Sequence, residues 1–329
     1  AARRRPEAAD IYRERGRLHL LLGQGAPARE DFFQAVARSS NAGAAAERAA
    51  GDLIEVGRLL HYEKDFTGAL RAYNAVLTLP NERTAPQQVL ANRLKAEPLL
   101  ALRRYGEAGD ALDAYLKTVP ATEGKAPPPD EAKRLADAYL ARGLIHVEQG
   151  DFRLGLDCYT RGLHALRSPE LLGARGWAYL MYQAPHLALP DFDEALTQLP
   201  ADASDKAQRM DVLLGRADAL IKLDRVLEAL DAATAAMQAG GEVKPRVYYN
   251  AARVYAQASV KLDGAEGRAR EAVMYQNRAV ALLRQAVEQT PTAEREDFWK
   301  RYVEADASLA LLRNRADMTE LAAHYAPAP

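Results

Sequence analysis

The sequence of 329 residues has little cysteine and no long apolar stretch. Its one cysteine, Cys158, cannot form an internal disulfide and cannot build a cysteine zinc site by itself. No apolar run approaches the roughly 18–20 residues that span a bilayer, because the longest candidate, Leu18 to Leu22, contains His19. These absences argue against a disulfide scaffold and a membrane-spanning helix, so we expect a cytoplasmic protein without a membrane partner.

The first residues, Ala1 to Glu7, contain three arginines that no apolar stretch follows, so we do not expect a signal peptide here. The chain also lacks an initiating methionine. We therefore expect it to be a processed or excised piece of a longer chain.

Positive and negative charges are nearly balanced in the sequence. Lysine and arginine together number 44 and aspartate and glutamate number 45, which leaves a net charge of −1. Without an excess of positive charge to follow phosphates, the composition argues against a nucleic-acid partner.

Motifs that would carry chemistry are absent too. The six histidines are scattered, and the sequence contains neither a His-Glu-x-x-His motif, nor an acidic calcium loop, nor a glycine-rich phosphate loop. Carboxylates such as Asp191, Asp193 and Glu194 are interpreted as solvated helix faces, because nothing marks a catalytic pair. We predict no enzyme activity, no catalytic residue, no metal and no cofactor.

The sequence does contain a repeated helical pattern. Apolar residues recur at spacings of three and four, which is typical of amphipathic helices. Gly143 and Gly176 lie 33 residues apart, and an aromatic residue follows each of them after sixteen residues. The same frame occurs near the start of the chain. The glycine–aromatic pairs are Gly16 with Phe32, Gly57 with Tyr73, Gly143 with Tyr159 and Gly176 with Phe192.

This pattern resembles the tetratricopeptide repeat, a helix–turn–helix unit of about 34 residues. The resemblance covers nearly the whole chain and implies an all-α fold, a right-handed α-solenoid of about seven repeats with a C-terminal capping segment. We expect the solenoid at 1–305, with a candidate hinge at 120–130, and the cap and tail at 306–329. About fifteen extra residues around 261–272 predict lengthened helices in the seventh repeat, on either side of a turn at Asp263-Gly264.

The seventh repeat carries a second resemblance. The stretches 249–256 and 278–287 look like the closing repeat that follows serine/threonine kinase domains in bacterial multidomain proteins. The kinase itself is absent, because no glycine-rich loop, Val-Ala-Ile-Lys or His-Arg-Asp motif occurs. The resemblance implies that any phosphoryl transfer would belong to another part of a parent chain.

In the tetratricopeptide family the first helices of the repeats line a concave surface that holds peptides. The resemblance therefore implies a noncatalytic scaffold, such as the docking or sensory arm of a signalling protein, with a peptide or protein partner on that face. Arg246 and Asn250 match only part of the family's two-carboxylate clamp, since Gly215 and Ala174 stand at the corresponding positions of the preceding repeats. The inward positions are Arg13, Arg17, Arg58, Arg93, Trp177, Asp211, Asp218, Arg246, Asn250 and Arg253.

Two other functions remain as alternatives. A nucleic-acid-binding solenoid needs a basic stripe along its helices, which Asp211 and Asp218 interrupt. A self-assembling solenoid would stack its terminal repeats on neighbouring copies. For the leading hypothesis we expect a monomer or weak self-association.

Overall fold

The structure is a computed structural model that describes residues 6–38, 43–119, 127–199, 205–239, 243–263 and 267–325. Every regular element in these residues is a helix. The chain divides into two compact units, Ala1–Gln149 and Gly150–Pro329, which we call unit 1 and unit 2. The all-helical prediction is confirmed.

Unit 1 consists of consecutive helices, of which α1 packs on α2, α3 on α4 and α5 on α6. Its core is formed mainly by alanine, leucine and tyrosine side chains from both members of each pair. The helices are α1 (Pro6–Leu21), α2 (Gly25–Arg38), α3 (Gly43–Tyr62), α4 (Phe66–Leu77), α5 (Asn81–Ala101), α6 (Tyr105–Leu116) and α7 (Pro129–Glu148).

Unit 2 repeats this arrangement, with α9 on α10, α11 on α12 and α13 on α14 as its helix pairs. The last pair is long, which confirms the lengthened helices, and α13 ends at Asp263, at the start of the predicted turn. Gly264 lies outside the described residues. The helices are α8 (Phe152–Ala165), α9 (Pro169–Met181), α10 (Pro185–Gln198), α11 (Lys206–Lys222), α12 (Val226–Gln238), α13 (Pro245–Asp263) and α14 (Ala269–Gln289).

At two of the predicted glycine–aromatic pairs, the ring packs directly against the glycine of the facing helix. A Cβ atom added at Gly176 would lie only 2.7 Å from the Phe192 ring, and one added at Gly215 of the next pair would also collide with that ring. Phe192 is completely buried as a result. In unit 1, Tyr73 occupies the space over Gly57 in the same way. The predicted role of these small residues is therefore confirmed by direct packing.

The turns after the first helices α1, α3, α5, α7, α9 and α11 share one conformation. The second residue of each turn adopts a left-handed backbone conformation, which ends the helix and lets the chain reverse. These six residues are Gly23, Lys64, Arg103, Gly150, Gln183 and Asp224, and Gly267 adopts the same conformation between α13 and α14. Four of them carry a side chain, so the sequence alone does not mark these turns with glycine.

A C-terminal segment, residues 292–312, follows α14. It comprises a 3₁₀ turn (Thr292–Glu294), helix α15 (Arg295–Phe298), a π-helix (Trp299–Glu304) and a 3₁₀ helix (Ala307–Leu312), and α16 (Ala316–Tyr325) comes after it. The second 3₁₀ helix packs on α13 and α16 packs on α14. These contacts agree with a cap on the seventh pair.

Prolines mark the start of α7. Pro128 precedes the helix and Pro129 is its first residue, so Asp130 lies in the first turn. Proline suits the first helical position, since its missing N–H would have no partner there. Most of the candidate hinge, 120–126, lies outside the described residues.

Candidate functional site

Five of the ten predicted binding residues line one cleft in unit 2. We call it the unit-2 cleft, and it encloses about 360 Å³ between the first helices α9, α11 and α13 and the C-terminal segment. Its lining comprises Trp177, Leu180, Met181, Gln183, Asp218, Lys222, Arg246, Tyr249, Asn250, Arg253, Arg301, Tyr302, Ala305 and Asp306.

Helical spacing explains why α13 contributes so much of this cleft. Arg246, Asn250 and Arg253 follow one another at intervals of four and three residues, so they lie on one face of the helix. Tyr249 adds a ring to the same face. This is the inward face that the repeat frame predicts.

One of the residues that line the cleft is a buried carboxylate. Asp218 is only 2% exposed. The Lys222 ammonium donates to it at 2.8 Å, and the Gln257 amide donates at 3.3 Å. Arg253 Nη2 lies 3.9 Å from the same side chain. These partners neutralise Asp218, so it is held as part of the structure.

Arg253 is also occupied by the C-terminal segment. Its Nε lies 2.7 Å from Asp306 Oδ2, and the Tyr249 hydroxyl donates to that oxygen at 2.6 Å. The Ser308 backbone N–H donates to the other carboxylate oxygen at 2.8 Å. Burial by itself would raise the pKa of Asp306, but Arg253 and these hydrogen bonds outweigh it and hold the pKa below its ordinary value. The guanidinium and the carboxylate thus form a fixed pair.

Arg246 and Asn250 differ from their neighbours because they have no hydrogen-bond or ion-pair partner among the described residues. Arg246 is exposed, and its guanidinium makes no ion pair or hydrogen bond with any residue that the structure describes. Asn250 is 5% exposed, yet its side-chain amide makes no hydrogen bond within the described ranges either. Both line the cleft, so their donors are available to a bound group.

The charge of the lining favours an anion. Four cations, Lys222, Arg246, Arg253 and Arg301, face two carboxylates, which leaves an excess of two positive charges. Arg246 also lies in the first turn of the 19-residue helix α13, where the helix dipole adds positive potential.

Trp177 and Asp211 connect neighbouring first helices beside this cleft. The Trp177 indole N–H donates to Asp211 Oδ2 at 2.9 Å, and the indole ring packs edge-on against Phe192 at 5.9 Å. Burial raises the pKa of Asp211, although the Trp177 hydrogen bond and the positive charges of Arg246 and Lys244 oppose that shift. Asp211 itself does not line the cleft.

Two further predicted residues, Arg13 and Arg17, line a separate cleft of about 450 Å³ in unit 1, which we call the unit-1 cleft. Arg13 is 4% exposed, and its Nε donates to both oxygens of Asp52 at 2.9 and 2.8 Å. Arg17 pairs with Glu14 at 2.7 Å. The lining comprises Arg13, Arg17, Leu20, Phe32, Arg48, Gly51, Asp52 and Glu55.

The structure places the last two predicted residues outside both clefts. Arg58 is exposed and pairs with Glu55 at 2.9 Å. Arg93 is half-buried, and its Nε has no hydrogen-bond partner among the described residues. Both cations lie near Tyr73, whose pKa burial raises to about 12.

Several lining residues were not predicted as binding residues. Met181 and Gln183 lie at and just after the end of α9, where the repeat frame assigns a turn. Tyr302 and Asp306 belong to the C-terminal segment, whose aromatic residues indicate only a cap. Their approach to α13 is a tertiary contact that no local pattern encodes.

Metal binding and membrane spanning are the two other properties on which the described residues bear. No group of three or more histidine, cysteine, aspartate or glutamate side chains within them could hold a metal ion. Their helices also include none that is long and apolar enough to cross a membrane.

Comparison with known proteins identifies the fold. No family model matches the sequence, and no curated protein matches it. Among solved structures, a tetratricopeptide repeat protein from Parabacteroides merdae ATCC 43184 is 13% identical and superimposes with a TM-score of 0.56, covering 85% of this chain and 99% of that one.

Two other solved structures are similar over shorter stretches. The C-terminal part of a tetratricopeptide repeat protein from Cytophaga hutchinsonii is 15% identical, with a TM-score of 0.49 over 80% of this chain and 97% of that one. MamA from Desulfovibrio magneticus RS-1 is 17% identical, with a TM-score of 0.48 over 60% and 98%. The likeness to the Parabacteroides protein is the one that carries the assignment, and it shows that this chain has the fold of a tetratricopeptide repeat solenoid.

Proposed function

We propose that this protein is a noncatalytic scaffold that binds a peptide or protein partner on the first-helix surface of unit 2. The observation that carries the proposal is the unit-2 cleft, in which Arg246 and Asn250 have no partner among the described residues. The partner presents an acidic group to these two side chains.

The two residues differ in what they gain from a ligand. Arg246 is exposed and already solvated, so its guanidinium can form a bidentate pair with a carboxylate without first breaking another ion pair. Asn250 is 5% exposed and lines the cleft, so its side-chain amide can donate a hydrogen bond to a carboxylate that Arg246 holds.

The biological context of the proposal is a signalling protein. The resemblance of the seventh repeat to the closing repeat of bacterial kinase-type proteins supports a docking or sensory arm in the cytoplasm, with the catalytic part elsewhere. In this proposal the chain is a monomer or self-associates weakly, and the near-balance of charges, at −1 overall, disfavours nucleic acid as the partner.

Peptide display with the full chain as bait tests the proposed function. We expect the selected peptides to be enriched in aspartate or glutamate. Arg246→Glu should then weaken their binding at least tenfold, because a like charge replaces an attractive one. Arg17→Glu is the matched control, since Arg17 is also exposed but lies in unit 1 and pairs with Glu14. Equal binding by both variants, or peptides without acidic residues, would refute the proposal.

A further inference from the structure

The unit-2 cleft is not built by the repeats alone. Four of its lining residues, Arg301, Tyr302, Ala305 and Asp306, belong to the C-terminal segment, which lies outside the repeat pattern. The first helices and the turn after α9 supply the other lining residues. A partner that enters the cleft therefore touches both the repeats and this additional segment.

The C-terminal segment is held firmly against unit 2. Its side chains Phe298, Trp299 and Val303 are 9%, 4% and 1% exposed, and Leu309 and Leu312 are completely buried. Displacing the segment would return these five large apolar side chains to water, which a surface-bound peptide does not compensate. The segment is a fixed boundary of the cleft rather than a lid.

Aromatic contacts fix the orientation of this boundary. The Tyr302 ring lies 5.5 Å from that of Tyr249 and 5.1 Å from that of Phe298. Asp306 accepts from the Tyr249 hydroxyl one turn further along. Tyr302 is thus held between α13 and α15, and part of it lines the cleft.

The size of the cleft limits what it can accept. Its volume of about 360 Å³ is at the lower end of the roughly 300–1,000 Å³ that is usual for ligand sites. A whole helix is about 10–12 Å wide with its side chains, so it does not fit. One or two side chains that protrude from a partner do fit.

The lining has an apolar part beside its cationic part. Met181 is 45% exposed, and the rings of Trp177 and Tyr302 line the same cleft. Methionine and aromatic rings adapt well to a large apolar side chain.

We propose that the C-terminal segment is a fixed wall of the binding cleft, and that Tyr302 and Met181 make it select an acidic residue with a large apolar neighbour. This inference rests on the proposed function, because it names the kind of peptide that the same cleft takes. The acidic group binds at Arg246 and Asn250, and the apolar neighbour packs on Met181 and Tyr302.

Two variants that replace an alanine by glutamate test whether the C-terminal segment forms a wall of the cleft. Ala305 and Ala310 are both exposed alanines of the C-terminal segment, but only Ala305 lines the cleft. The probe is a short peptide with a central Leu-Glu, a fluorophore at its N-terminus and an amide at its C-terminus. Its binding to the full chain is measured by fluorescence anisotropy. Ala305→Glu should weaken binding roughly fivefold, because a like charge is placed near the bound carboxylate, and Ala310→Glu should not change it.

A second comparison tests the selectivity. Changing the probe's leucine to serine should weaken binding to the wild-type protein by about tenfold, which is typical for losing one buried apolar side chain. Tyr302→Ala should remove most of that preference, whereas Tyr302→Phe keeps the ring and should retain it. Circular dichroism checks that both variants remain folded.

The possible outcomes separate the two proposals. If Arg246→Glu weakens binding of the probe but Ala305→Glu and Ala310→Glu bind it with equal affinity, the wall inference is wrong and the proposed function stands. A wild-type protein that binds the Leu-Glu and Ser-Glu probes equally also contradicts the inference. If the wild-type protein does not prefer glutamate to glutamine in the probe, the proposed function fails, and the inference fails with it.

Discussion

The two clefts differ in how their cations are used. The unit-1 cleft is the larger, at about 450 Å³ against 360 Å³, and it contains three arginines. Each of the three has a carboxylate partner: Arg13 with Asp52, Arg17 with Glu14, and Arg48 with Asp10 at 3.8 Å. In the unit-2 cleft, Arg246 has no such partner within the described part of the chain. Volume alone therefore does not identify a binding site.

The difference arises from where the carboxylates lie. On α1, Asp10 and Glu14 each lie three residues before an arginine that they pair with, and Asp52 of α3 adds a second carboxylate to Arg13. On α13, the first turn contains no acidic residue. Asp306 reaches Arg253 from the C-terminal segment, and Arg246 has no ion-pair partner among the residues that the structure describes.

The largest expected effect is on the free energy of unfolding, and it contrasts the buried, paired Arg13 with the exposed Arg246. Arg13→Met leaves Asp52 buried without its partner and should lower the free energy of unfolding by about 3–5 kcal/mol. Arg246→Met removes no ion pair or hydrogen bond with a described residue and should change it by less than about 0.5 kcal/mol. Urea denaturation followed by circular dichroism measures both.

A double variant is the control for this prediction. Arg13→Met together with Asp52→Leu removes the whole buried pair, and it should recover most of the lost stability. If Arg246→Met destabilised the protein as much as Arg13→Met, the distinction between a structural and an available arginine would be wrong.

The fold was largely predictable because its signals are local and repeated. Gly57 with Tyr73 and Gly176 with Phe192 recur at a fixed spacing, and each pair reports one close helix contact. Helix boundaries next to proline were harder, since Pro129 both ends the connection and begins α7.

The site was predictable only in part. The frame identified the face of α13 with Arg246 and Asn250, because side chains on one helix face follow from spacing alone. It could not show that Asp306, 53 positions after Arg253, pairs with that residue. It also could not show that Arg13 is neutralised by Asp52, 39 positions away. Both pairs depend on tertiary packing.

Substitutions at two helical glycines should change the free energy of unfolding by an intermediate amount. Gly176→Ala should lower the free energy of unfolding by about 1–3 kcal/mol, because the new methyl group overlaps the Phe192 ring. Gly51→Ala should raise it by up to about 1 kcal/mol, since Gly51 lies inside α3 and an added Cβ meets nothing within 4 Å. Thermal unfolding by calorimetry compares the two. A destabilising Gly51→Ala would show that the unit-1 cleft does not have the open space seen at this residue.

The smallest expected effect is a pH dependence of stability, which should have opposite signs for one carboxylate in each unit. Burial raises the pKa of Asp211 in unit 2, so the ionised carboxylate is disfavoured in the folded state, and stability is lost as the pH rises through that pKa. The Asp211→Asn side chain can still accept the Trp177 hydrogen bond. This variant should gain stability over the wild type as the pH rises from 3.5 to 7.

In unit 1, the Arg15 hydrogen bonds lower the pKa of Asp31. The ionised Asp31 therefore stabilises the fold above its unfolded-state pKa, and this stabilisation is lost as the pH falls through its folded-state pKa. Asp31→Asn should therefore be less stable than the wild type at pH 7, with a deficit that shrinks in acid. Urea midpoints at each pH measure both slopes, and slopes of equal sign would contradict the assignment of one carboxylate as disfavoured and the other as stabilised.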